Sequence, residues 1–128
     1  ILKNGVVYIA PGGKHMRVVK KGTDYCIKLS DEPAIDGLRP CANVMYESLE
    51  LCQYDEITCV VLTGMGADGT KGIQGLAAHH KKLHVIAQDA DTCVVYGMPK
   101  AIAQTGLVDE VVPLGSVAET ITKNVGVS

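Results

Sequence analysis

Three glycines and one carboxylate crowd into six residues of this chain, Gly64-Met65-Gly66-Ala67-Asp68-Gly69. The spacing is G-x-G-x-x-G. It follows the apolar run Ile57-Thr58-Cys59-Val60-Val61-Leu62 and precedes a helical pattern that starts near residue 70. A dinucleotide fingerprint needs that context. An acid, Asp89, stands 20 residues after Gly69, where a ribose-binding carboxylate is expected. Asp68 is the physical objection. A phosphate loop binds by offering bare backbone N–H groups and a positive helix end to an anion, and a carboxylate inside that turn repels a pyrophosphate. The same position suits other work. A carboxylate at a helix N-terminus is held ionised by the dipole and by local N–H groups. At the carboxyl end of a parallel strand it lies where open α/β sheets keep their ligand sites. There it has the character of a group that orients a catalytic histidine. The plain alternative is that Asp68 only caps a helix and the glycines only permit a tight turn.

Other chemistry-bearing residues offer less. His79, His80 and His84 cluster in sequence. A switch from helix to strand between them removes any common face, so no metal site is expected. The serines, Ser30, Ser48, Ser116 and Ser128, do not sit in a tight glycine elbow. Cysteines stand at 26, 41, 52, 59 and 93, an odd count without a C-x-x-C pair. They argue against a disulfide framework or a zinc site and for reduced, packed thiols in a cytoplasmic protein.

The elements that must position the loop are legible from periodicity. Residues 6–10 form an apolar run closed by Pro11-Gly12-Gly13, which predicts a strand. Residues 15–20 and 25–29 predict two strands joined at Lys21-Gly22-Thr23-Asp24. Pro33, Gly37 and Pro40 mark a loop. Apolar positions 41, 44, 45, 49 and 52 then follow a helical period. Residues 57–62 and 83–87 are almost continuously apolar, as in parallel strands buried on both faces. The glycine loop and a helix with Ile73, Leu76 and Ala77 on one face lie between them. Asp91 or Thr92 predicts a short helix through Tyr96, and Pro99 opens another. Residues 107–112 predict a third parallel strand. Ser116 and Glu119 predict a capping box for a last helix with Val117, Ile121 and Val125 inward. The fold class is therefore α/β: a doubly wound, mostly parallel sheet with helices on both faces, plus an N-terminal antiparallel hairpin.

Composition excludes several classes. The chain has 128 residues, the size of one domain, with 47% hydrophobic and 20% charged residues. It lacks Trp and Phe, so the core is mostly aliphatic. A net charge of -2 gives no electrostatic case for nucleic acid, and no apolar run is long enough to span a bilayer. Ile1 opens the chain without Met, so the N-terminus reads as cut from something longer.

Five blocks occur in one order: Val7-Tyr8-Ile9-Ala10-Pro11-Gly12 with His15-Met16, Arg39-Pro40, Leu62 through Gly69, Ala87-Gln88-Asp89, and Thr92-Cys93-Val94-Val95-Tyr96-Gly97-Met98-Pro99-Lys100-Ala101. Together they resemble the catalytic domain of the CheB family, the protein-glutamate methylesterases of bacterial chemotaxis. The resemblance covers essentially the whole chain. It implies a partial domain, residues 1–128 being the C-terminal portion of that catalytic domain. It also implies a cofactor-free serine hydrolase that removes methyl groups from glutamyl esters on chemoreceptor helices and deamidates receptor glutamines. By motif, Asp68 corresponds to the triad aspartate, and the Met65 backbone N–H to an oxyanion donor. Gly64, Gly66, Gly97 and Met98 correspond to loops bordering the substrate cleft.

The family's serine, in an Ala-Ser-x-Gly-Gly turn, and its base, in a His-Met-Pro turn, precede the counterpart of residue 6 and are not found in this chain. His15 belongs to the Ala-Pro-Gly block and is expected to buttress or to lie at the surface. The resemblance further implies an upstream receiver domain in the parent protein. Alone, the chain is expected to be inactive and to self-associate through an exposed sheet edge. Two places depart from the family pattern. Cys41-Ala42-Asn43 follows Arg39-Pro40 where a Ser or Ala, a Val and an Asp are usual. A longer, basic connection, His79-His80-Lys81-Lys82, follows the helix after the glycine loop. The alternative of a dinucleotide module using Gly64, Gly66, Gly69 and Asp89 stands beside this reading.

Overall fold

The computed structural model describes residues 1–54, 56–79 and 81–126. Two strands, β1 (His15–Lys21) and β2 (Asp24–Ser30), pair antiparallel with Lys21 opposite Asp24. Gly22 holds φ at 65° in the two-residue turn between them, a left-handed value that suits glycine in a tight hairpin. After the 31–41 loop comes α1 (Ala42–Ser48). Three parallel strands follow, β3 (Glu56–Val61), β4 (Lys82–Gln88) and β5 (Glu110–Val112), in the order β3-β4-β5. Between and after them run α2 (Thr70–Ala78), α3 (Met98–Ala103) and α4 (Val117–Val125).

Strand alternation sorts the helices onto two faces. Cys59, Val61, Val85 and Ala87 point one way and form a core with Tyr46 of α1, Ile73 and Leu76 of α2 and Ile102 of α3. Thr58 points the other way and takes a hydrogen bond from Asn124 of α4. Ile86, also on that face, is wholly buried. The doubly wound α/β expectation holds, and the core is aliphatic as composition demanded. Gly72 lets α2 approach α1 closely. A Cβ there would lie 2.6 Å from Tyr46 Cβ and 3.1 Å from Asn43 Cα.

Four local expectations fail, each for a physical reason. Residues 6–10 are not a strand. Among the described residues no neighbour supplies a ladder, and Val7 and Ile9 stay 85% and 86% exposed. An apolar run becomes a strand only where another strand pairs with it. Residues 91–96 form turns instead of a helix. Val95 N–H donates to Thr63 Oγ1 at 2.8 Å and Val95 O accepts from Gly64 N–H at 3.1 Å, so backbone groups a helix would pair internally are spent on the loop after β3. The third strand is limited to 110–112, because Asp109 uses its side chain as well as its backbone on Val85. Its N–H donates to Val85 O at 2.8 Å and its Oδ2 accepts from Val85 N–H at 2.7 Å. Ser116 begins α4 without a capping box. A 3₁₀ turn, Leu114–Ser116, holds it near φ −105°, ψ −1°, and no side-chain cap bond forms. Val117 is inward as expected, whereas Val125 is 51% exposed.

Candidate functional site

The loop after β3 is stitched to the loop after β4 before its glycines are reached. The Thr63 N–H donates to Gln88 Oε1 at 2.7 Å. The Gln88 amide nitrogen donates in turn to Thr92 O at 2.8 Å. Thr63 Oγ1 donates to Val95 O and accepts from Val95 N–H. Gly64 N–H donates to Val95 O at 3.1 Å, while Gly64 O accepts from Gly97 N–H at 3.1 Å and from Met98 N–H at 2.9 Å. Gln88 is 1% exposed, so its own bonds lie in the interior and are costly to break, while the Thr63–Val95 bonds lie at the surface. Gly97 has no room for a side chain: a Cβ would stand 2.6 Å from Gly64 O and 2.9 Å from Gly66 N. A Cβ on Gly64 would meet Met98 Sδ at 2.6 Å. Gly66 and Gly69 take φ of 84° and 95°, where other residues are strained. The structure thus brings Gly64, Gly66, Gly97 and Met98 together. Met65 projects outward, 84% exposed, and its backbone N–H donates to no other described residue.

Asp68 turns away from its own helix. Its Oδ2 accepts from Ala42 N–H at 2.7 Å and its Oδ1 from Asn43 N–H at 3.0 Å, both in the first turn of α1. The Cys41 thiol donates to Oδ1 at 3.1 Å. Burial, and behind it the Asp68 carboxylate, push the Cys41 thiol above its ordinary range, which keeps the sulfur protonated and therefore a donor. The positive end of α1 adds to these bonds. The cap of α2 comes from the opposite side. Asn43 Oδ1 accepts from Gly69 N–H at 2.9 Å and from Gly72 N–H at 2.8 Å. The plain alternative, in which Asp68 only caps the helix it precedes, is not what forms: Asp68, in the loop before α2, caps α1, and Asn43 of α1 caps α2.

This arrangement removes the features a dinucleotide requires. The amides of Gly69 and Gly72, which would cradle a pyrophosphate, are occupied by Asn43. Asp89 is committed to Thr92.

Asp68 separates two depressions. One is an open groove of about 490 Å³ with Met65, Gly66, Asn43, Thr70 and Lys71 on its walls. The other is an apolar pocket of about 290 Å³ walled by Ala10, Met16, Pro40 and Met45. None of the described serines or histidines lines either one. His15 is wholly buried, its Nε2–H donating to Pro33 O at 2.9 Å, which is the buttress expected of it. Ser48 is spent on Met45 O and Val18 N–H, and Ser30 on Glu32 N–H. His79 Nδ1 lies 2.9 Å from Gly75 O and His84 Nε2 lies 2.7 Å from Glu110 Oε2, so the two serve separate elements. His80 and Ser128 lie outside the described residues. Among the described residues no cluster suits a metal ion, and no helix is long and apolar enough to cross a membrane. Periodicity marked Cys41 only as an apolar helix position and did not single out Asn43, Thr63 or Gln88. Asn43 reads in sequence as one more polar residue of a first helical turn, and only the fold shows what it faces.

A parallel α/β domain that holds a carboxylate and a free backbone amide at the carboxyl ends of its strands has the layout of a hydrolytic or ligand-binding site. Comparison with known proteins narrows this. The family described as CheB methylesterase matches residues 1–121, and the chain belongs to that family. The protein-glutamate methylesterase/protein-glutamine glutaminase of Desulfotalea psychrophila is 43% identical over 126 residues, spanning 97% of this chain and 34% of the relative. The enzyme of the same name from Oceanobacillus iheyensis is 44% identical over 124 residues, 96% of this chain and 35% of its own length. The crystal structure of the Thermotoga maritima CheB methylesterase catalytic domain superimposes with a TM-score of 0.82 at 33% identity, covering 91% of this chain and 60% of that one. The chain thus spans about a third of the length of these curated relatives.

Proposed function

We propose that this chain supplies the carboxylate and oxyanion side of a protein-glutamate methylesterase site, acting on glutamyl methyl esters and on glutamine amides of chemoreceptor helices. The observation that carries the reading is Asp68, fixed by three donors beside the unengaged Met65 N–H. In the proposed reaction a serine Oγ attacks the ester carbonyl carbon and passes its proton to a histidine. The oxyanion that forms accepts from Met65 N–H. The C–O bond to methoxide then breaks, and the histidine returns the proton so that methanol leaves. Water repeats the sequence on the acyl-serine. Asp68 accepts from the histidine's other N–H, holding its tautomer and stabilising the imidazolium. The serine and the histidine come from sequence outside these 128 residues, as does the receiver domain that would govern the enzyme. The setting is cytoplasmic, and no cofactor enters the reaction.

Release of methanol from methyl-esterified receptor tests the reading. The longer protein carrying this chain is expected to release methanol, and the 128-residue chain alone to release none. Hydrolysis by the chain alone would refute the division of the site. A second expectation concerns the outer edge of β3, which pairs with no strand among the described residues. An open edge invites pairing between chains, so the isolated chain should elute earlier in size exclusion as its concentration rises. A constant monomeric position at all concentrations would count against this.

A further inference from the structure

Asn43 stands at the centre of the contacts around Asp68 without being part of the reacting groups. We infer that Asn43 is a positioning residue for Asp68, setting the carboxylate's angle through a pair of interlocked helix caps. The inference rests on reading Asp68 as the triad carboxylate.

The geometry runs in both directions. Asn43 N–H donates to Asp68 Oδ1 at 3.0 Å, and Asn43 Oδ1 accepts from Gly69 N–H and Gly72 N–H at 2.9 and 2.8 Å. Residues 68 and 69 are neighbours, so one side chain fixes the backbone just past Asp68 while its own backbone fixes the carboxylate. Gly69 sits at φ 95°, a conformation that allows the chain to turn sharply between the two anchors. Gly72 brings Asn43 Cα within 3.1 Å of where a Cβ would stand. Asn43 therefore has no slack to drift while α1 and α2 stay packed.

Lone-pair accounting shows what this clamp does. An ionised carboxylate offers about four acceptor positions, two on each oxygen. Oδ1 is filled by Asn43 N–H and the Cys41 thiol, and Oδ2 holds one bond, from Ala42 N–H. One position remains, on Oδ2. A histidine N–H approaching Asp68 is directed to that oxygen alone, and a small rotation of the carboxylate would misplace it. Loosening Asn43 would therefore disturb the histidine's orientation before it unfolded the domain.

Amide hydrogen exchange on the 128-residue chain separates this role from simple capping, and needs no esterase activity. The N–H of Ala42 donates to Asp68 and precedes the helical ladder of α1, so its protection reports on the carboxylate. Asn43→Ala should speed Ala42 exchange about tenfold, the equivalent of about 1.4 kcal/mol, beyond any change at Val85 in the core. Asn43→Asp, which keeps an acceptor oxygen for Gly69 and Gly72, should restore protection. If Asn43→Ala does not fold, Asn43→Ser, with a shorter acceptor, carries the same comparison. Faster exchange at Gly69 and Gly72 with Ala42 unchanged would mean that Asn43 only caps α2, and would overturn the inference. In the longer enzyme, Asn43→Ala should lower kcat with KM within about twofold, and Asn43→Asp should recover it, the pattern of a group acting on the transition state. An unaltered kcat would overturn the link to catalysis. Activity that survives Asp68→Ala would instead remove the triad reading, leaving the exchange result as a statement about the clamp.

Discussion

Asp68→Ala is expected to lower methylester hydrolysis by the longer enzyme about ten-thousand-fold, the scale set by mis-set triad aspartates elsewhere. It should also destabilise the isolated chain. The substitution strips the acceptor from Ala42 N–H, Asn43 N–H and the Cys41 thiol at once. Each lost bond to a charged group is worth about 1.5–3 kcal/mol when nothing replaces it. Asp68 is only half-buried, so water reaches part of the gap and the net cost falls to about 2–3 kcal/mol. Asp68→Asn should recover little. Its amide keeps one oxygen but turns an NH₂ group toward donors, and a donor facing a donor is worse than an empty site. Methanol release measures the first effect and urea unfolding at neutral pH the second. An Asp68→Asn enzyme with near-normal turnover would refute the orienting role.

Gly97→Val is expected to have the second largest effect, through crowding instead of lost bonding. Gly97 has φ −102°, so a side chain brings no backbone strain of its own. The obstacle is Gly64 O at 2.6 Å and the Gly66 amide nitrogen at 2.9 Å, both backbone atoms that cannot swing aside. Overpacking of this kind costs about 1–3 kcal/mol. The loop relieves it by lifting off, and Met65 N–H moves with the loop. Removing one oxyanion donor typically lowers kcat about 10²–10³-fold, which is the loss expected here. Gly115→Ala is the matched control, because a Cβ there meets nothing within 4 Å. It should leave both stability and activity unchanged. Equal behaviour of the two variants in urea unfolding and turnover would show that the close approach at Gly97 is unimportant.

Much of the architecture was legible because it is written in periodicity. The β-branched run before Gly64, the helical spacing after Pro40 and the glycine at the hairpin all act over a few residues. The chain placed the corresponding elements near where those patterns said, although α1 ends at Ser48, before the apolar positions 49 and 52. The failures share a cause: each depended on a partner distant in sequence or on a competing local bond. Residues 6–10 had the pattern of a strand and no ladder to join. Val95 was claimed by Thr63 and Gly64 of the loop after β3, and Ser116 by the 3₁₀ turn before it. The site divides in the same way. Asp68 stood out because a carboxylate is out of place in a phosphate loop. Its holder, Asn43, lies 25 positions earlier on another helix, and no spacing rule connects the two.

The crossed caps of α1 and α2 bear on how this site can be moved or rebuilt. Grafting the six-residue glycine loop onto another parallel sheet would carry Asp68 without the amides that hold it. Grafting α1 alone would carry the amides without their anion. The transferable unit is the helix pair with its loop, residues 41–78, whose two ends vouch for each other like the halves of a clasp. The site thus has a minimum size set by this clasp, well beyond the few residues that its motif occupies.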